Sequence, residues 1–349
     1  MPACGSNGKL SLMNCNTSAP RAGKTSLGSI LGLLTFAVIS GLILSQKQQI
    51  VDAYRLHNYV PPAAIAQIAT DDTFTPQTRR VYYVNKPMIQ NKAEFKSECP
   101  NGGGEKTIIL GCYHGGQGGI YLLQVNDPRL NGVTQVTAAH ETLHAAYDRL
   151  SGNERKGVDA MLLDYYKTGL KDDRIKKTIE GYKISEPKDV VNEMHSIFGT
   201  EVATLPKGLE NYYTRYFIDR SKVIGYANQY QAEFTSRQEK IKRDDATLID
   251  IKNQIKDIES NLGARQARIS ATQQDLLAKK RNGDTGGYNA GVPGYNADID
   301  EYNRQVSTAQ SLVKQYNQLV SERNAIASEI SELSNALSTG ATSAEQIPQ

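Results

Sequence analysis

The chain has 349 residues, room for about two domains at ~100–200 residues per core. Apolar residues make up 39% and charged residues 22%, which excludes both a disordered chain and a multi-span membrane protein. Lys and Arg number 40 against 37 Asp and Glu, a net +3 too balanced for a nucleic-acid binder defined by charge, and 4 cysteines are too few for a disulfide scaffold.

Residues 1–26 are rich in Ser, Gly and Asn without a hydrophobic period, and are expected to form a disordered tail. Leu27–Ser45 (LGSILGLLTFAVISGLILS) follows without a charge. As a helix it would span ~28 Å, about one hydrocarbon core. A cleaved signal peptide would have a shorter apolar region of ~7–15 residues and a small-residue cleavage site, and none follows Ser45. A retained single-pass transmembrane anchor is therefore expected, with cleavage as the alternative. Lys9, Arg21 and Lys24 precede the segment, and no acidic residue occurs before Asp52. This bias places the N-terminus in the cytoplasm and the rest of the chain outside the membrane. Residues 46–79 read as a linker with a short helix, Gln46–His57, broken at Pro61-Pro62.

The Arg80–Asn85 segment (RVYYVN) reads as a strand, as do Lys106–His114 and Gly119–Val125, the last two joined through Gly115–Gly118 into a hairpin. Between them Asn101–Thr107 (NGGGEKT) carries Glu105 where a P-loop needs Gly, and reads as a turn. Cys99 and Cys112 lie on the expected outer, oxidising side, where pairing would stabilise by ~3 kcal/mol. Their spacing is not that of a CxxC zinc pair. Cys4 and Cys15 fall on the reducing side as thiols. Helices are expected over Thr134–Leu150, Glu154–Thr168 and Pro187–Glu201, with another from Leu209. The fold class expected is α+β, with this domain over residues 80–225.

One helix carries chemistry. Val136–Leu150 (VTAAHETLHAAYDRL) contains His140-Glu141-Thr142-Leu143-His144. Two imidazoles at i and i+4 share a helix face and can bind one Zn²⁺. Glu141 then reaches the attacking water rather than the metal, as general base and later acid. Random order of this composition would give H-E-x-x-H with an expectation of about 0.004, so a helix with two merely solvated histidines is the weaker reading.

The HETLH helix resembles that of the zincin metallopeptidases, which implies a zincin-like domain with a mixed sheet and a substrate-lining edge strand. Metzincins extend the pattern with a Gly and a third His, where this chain has Tyr147 and Leu150. Gluzincins take the third ligand from a Glu on a later helix, and Asn192–Glu201 looks like such a segment. The resemblance implies Glu193 as third ligand, with Glu201 and His195 as alternatives. Ile197 stands where some gluzincins carry an acid, which leaves the partner of His140 unassigned. The oxyanion would be stabilised by His195, Tyr182 or Tyr213, and Asp148 would face solvent. The two segments together also resemble those of uncharacterised bacterial membrane-anchored HExxH proteins.

The last third keeps a heptad seam, Leu248 to Leu276 and again Ile299 to Leu337, about the Gly-rich Gly283–Gly294. An antiparallel coiled-coil hairpin over residues 226–340, with arms of ~50–70 Å, is expected, followed by a disordered 341–349. The alternative pairs each helix with another molecule. The combined expectation is an extracytoplasmic zinc endopeptidase with a protein or peptide substrate and a partner on the hairpin. Gly119–Val125 would be its substrate edge. The rival is an envelope scaffold or adhesin with a structural or inactive zinc site.

Overall fold

The computed structural model describes residues 46–100 and 110–338, together with Phe36. The chain divides into two compact units, Met1–His57 and Asn58–Gln349. In the first, residues 46–56 are helical, in line with the helix expected there. The expected tails, 1–26 and 341–349, and the Asn101–Thr107 turn lie outside the described residues, as does the Leu27–Ser45 segment apart from Phe36. Among the described residues no helix is long and apolar enough to cross a membrane.

The second unit is mostly helical, with one small sheet. Its core starts inside the stretch expected to be a linker. Helix α1, Ala63–Asp71, buries Ile65, Ile68 and Ala69, a spacing that sets them on one face. Helix α2, Pro76–Val84, occupies the segment read as a strand. Val81, Tyr82 and Tyr83 favour strands, but the Thr75 hydroxyl caps Thr78 N–H and Pro76 occupies the first turn, which fixes a helix start.

Asp72, at the corner between these helices, is fully buried, and neither carboxylate oxygen has a hydrogen-bond partner. Burial first, then Asp71, raises its pKa well above the carboxylate range. A raised folded pKa means that the Asp72 contribution to stability is complete below the unfolded value, ~3.9, and is lost as pH rises through the folded value. Asp72→Asn is expected to stabilise the chain at pH 7 by about 1–3 kcal/mol, with the gain shrinking toward pH 4. Thermal melts across pH check this, and an Asn variant less stable at pH 7 contradicts it.

The sheet has strand order β1-β3-β2, with β1 Met88–Gln90, β2 Gly111–His114 and β3 Gly119–Leu123. The expected hairpin is present, with Cys112 opposite Tyr121 and His114 opposite Gly119. Strand β3 also pairs in parallel with β1, Met88 opposite Tyr121. It is therefore the central strand, buried along its whole length, and not the edge that the sequence suggested. The two edges are β1 and β2, and β2 is the one that lies against Thr137 and Glu141. Helix α3, Lys92–Glu98, opens with a capping box of Asn91 and Glu94, and Cys99 at its end is disulfide-bonded to Cys112 with a Cα separation of 6.2 Å.

Helix α4, Val133–Tyr147, runs through the core against the sheet, with Ala138, Ala139, Leu143 and Ala145 fully buried. Helix α5, Gly152–Thr168, follows from a Ser151–Glu154 capping box. Helix α6, Asp173–Ser185, was not legible in the sequence; Asp172 caps Arg174 and Ile175, and Ile175 and Ile179 bury one face. Helix α7, Val190–Glu201, packs across α4, and α8, Lys207–Tyr213, closes the core behind it.

The last two helices, α9 (Arg220–Arg281) and α10 (Thr285–Leu337), pair antiparallel. At 62 residues α9 would span ~93 Å, longer than the arms expected. Ion pairs Arg237–Glu329, Arg323–Asp245 and Arg265–Asp298 join the arms at successive levels. The turn is shorter than expected. Gly283, at φ +77°, reverses the chain, Asp284 caps Gly287 N–H, and α10 then runs on through Pro293. The glycines near the tip serve close packing: a Cβ on Gly291 would stand 2.8 Å from Leu276 Cδ2. No break falls at residue 226, because Val223 and Ala227 of the continuous α9 are buried in the main core.

Candidate metal centre and cleft

Helix α4 brings His140 and His144 together on one face, ring centroids 4.7 Å apart. Helix α7 sets Glu193 against both. His140 Nε2 stands 3.5 Å from Glu193 Oε2, and His144 Nε2 stands 3.3 Å from Glu193 Oε1. Ligand atoms of the three residues all lie within 4.8 Å of one another. Burial pushes the Glu193 carboxyl up, but His144, His140 and Tyr182 outweigh it and hold it below the carboxylate range. Glu193 is 7% exposed and its Oε2 has no hydrogen-bond partner. A buried carboxylate with one oxygen facing each of two imidazole nitrogens is a donor set that fits a divalent cation.

The helices hold this group by packing on their other faces. Met194, Ile197 and Phe198 of α7 bury in the core, which turns Glu193 toward α4. Close contact between the helices depends on Gly199, where a Cβ would lie 2.4 Å from Leu143 Cδ1 and 2.8 Å from Tyr213 Cε1. Gly111 of β2 has the same role on the other side of α4. A Cβ there would lie 2.5 Å from Thr137 Cγ2 and 2.8 Å from Glu141 Oε1. The Glu141 carboxylate is thus seated directly beneath the edge strand.

The other residues weighed from the sequence fall elsewhere. His195 is fully buried among Tyr147, Tyr212, Tyr213 and Tyr216, with its Nε2 3.0 Å from Tyr212 Oη. Burial, His144, His140 and Arg215 push its pKa down to about 3, so the ring is neutral. Glu201 is held by Arg174 at 2.7 Å and Gln231 at 2.9 Å. Tyr213 donates to the His195 carbonyl inside the core. Neither His195 nor Glu201 joins the ligand group. Asp148 is exposed, as expected, yet hydrogen-bonds Tyr113, whose hydroxyl is pushed up to about 12 by burial and this carboxylate.

A cleft of about 770 Å³ opens over the centre. Its walls come from β2, from α4, from α6 at Tyr182, from α7 at Glu193, and from the hairpin base at Tyr230, Phe234 and Leu337. Sequence reading placed the hairpin outside the domain, whereas Leu333 and Leu337 pack with Leu130 and Val133 beside the start of α4. Seven carboxylates and one guanidinium line the cleft, a surface whose field favours cations. No family model, no curated protein and no solved structure matches this chain.

Proposed function

We propose that the chain is an extracytoplasmic zinc-dependent endopeptidase with a zincin-like catalytic unit, anchored by Leu27–Ser45. The observation that carries this reading is the convergence of His140 and His144 on the two oxygens of the buried Glu193 carboxylate, with Glu141 beside them at an open cleft. Zn²⁺ held by His140, His144 and Glu193 would supply the Lewis acidity that makes a water nucleophilic at neutral pH.

Glu141 lies outside the ligand group and lines the cleft. It accepts the proton that the attacking water releases and delivers it to the leaving amine nitrogen. Tyr182 lines the same cleft, whereas His195 and Tyr213 do not, which makes Tyr182 the donor for the developing oxyanion. An extended substrate segment pairs with the free edge of β2, in place of the central β3, and so crosses directly above Glu141.

The scaffold reading predicts a metal closed by four protein ligands. Among the described residues the ligand group has three members, His140, His144 and Glu193, which favours the enzyme. The test is cleavage of an unstructured protein by the full chain before and after metal removal. Chelation is expected to abolish cleavage and stoichiometric Zn²⁺ to restore it. Cleavage that persists in the metal-free chain overturns the reading.

A further inference from the structure

The edge strand carries a second cluster of metal-ligand atoms. Cys112 and His114 lie two apart on β2 and so share one face of the strand. Cys99 reaches them from the end of α3, which is why sequence spacing does not reveal the group. Ligand atoms of Cys99, Cys112 and His114 all lie within 4.8 Å of one another. His114 Nε2 stands 3.5 Å from Cys112 Sγ. Tetrahedral Zn²⁺, with Zn–S of about 2.3 Å and Zn–N of about 2.0–2.1 Å, sets sulfur and nitrogen ligands ~3.5 Å apart. That pair already has ligand spacing. The His114 ring rests on Tyr121, centroids 5.0 Å apart, and Tyr121 is buried, so the imidazole has a fixed backing.

We infer that, once their disulfide is reduced, Cys99, Cys112 and His114 form a second Zn²⁺ site, independent of the centre on α4. The reductant is a dithiol. It gives two electrons and two protons to the S–S bond, leaves as a cyclic disulfide, and yields the Cys99 and Cys112 thiols. Each thiol releases its proton to solvent as its sulfur binds the ion, while His114 binds through a neutral ring nitrogen. The ion then replaces the covalent bond as the link between α3 and β2, so the strand that borders the cleft stays tied in both redox states. The fourth position is left to water.

The test uses the full chain with Cys4→Ser and Cys15→Ser, so that no other thiol is present. Bound Zn²⁺ is counted in the oxidised form and, after the dithiol is removed without air, in the reduced form. The same counts are made with Glu193→Ala added. Reduction is expected to add one Zn²⁺ per chain in both backgrounds, and Co²⁺ in its place to give thiolate-to-metal charge-transfer absorption. His114→Ala is expected to weaken this binding at least about tenfold, with circular dichroism unchanged. Equal metal content in the oxidised and reduced chains overturns the proposal, as does His114→Ala binding with unaltered affinity. Failure of the centre on α4 would instead appear as absence of metal from the oxidised chain, a separate result.

Discussion

Glu141→Gln is expected to leave metal content unchanged and lower kcat for peptide cleavage by about 10²–10⁴-fold. Glutamine keeps the volume and most of the hydrogen-bonding capacity of the side chain, which is 7% exposed beneath β2. It cannot accept a proton at neutral pH. Because Glu141 is not among the ligand atoms that converge on Glu193, the metal should stay. KM should move much less than kcat, since the change removes proton transfer rather than binding. Undiminished cleavage by the variant contradicts the assignment, and loss of metal would place Glu141 in the ligand set.

Gly199→Ala is expected to destabilise the chain by about 1–3 kcal/mol and to weaken metal binding with it. The added methyl would stand 2.4 Å from Leu143 and 2.8 Å from the Tyr213 ring. Neither neighbour has room to yield. Leu143 of α4 is fully buried, and Tyr213 is fully buried with its hydroxyl bonded to the His195 carbonyl. The strain is relieved by moving α7 away from α4, which carries Glu193 from its 3.3 Å approach to His144. Metal affinity is expected to fall about 10–100-fold, as for loss of other groups that orient ligands. Denaturant melts and chelator competition read the two effects. A variant with wild-type stability and affinity would show that the helix crossing does not set the centre.

What the sequence reveals follows from how local each cause is. His140 and His144 are legible because helical periodicity alone puts them on one face. The hairpin is legible because a heptad seam repeats over many turns, and Arg237–Glu329 and Arg265–Asp298 join the two arms at levels that an antiparallel pair requires. The misreadings share a different origin. The strand preference of Val81 and Tyr82 is outweighed by the Thr75 cap and Pro76 just upstream. The Gly286, Gly287 and Pro293 positions read as a turn, but Gly283 and Asp284 complete the reversal first, and small residues then serve the contact with Leu276. Strand β1 has three residues and no pattern of its own, yet its pairing is what makes β3 central and so leaves β2, not β3, as the edge over Glu141. Gly111 and Gly199 matter because of what lies across from them in space, and no spacing rule reports that.

The most direct measurement is the metal content of the purified, disulfide-bonded full chain, compared with that of Glu193→Ala, by elemental analysis. A centre in which Glu193 stands 3.5 Å and 3.3 Å from the nitrogens of His140 and His144 predicts about one zinc per wild-type chain. It predicts that the folded variant carries almost none. A folded wild-type chain that neither contains nor takes up zinc would contradict the account at its root.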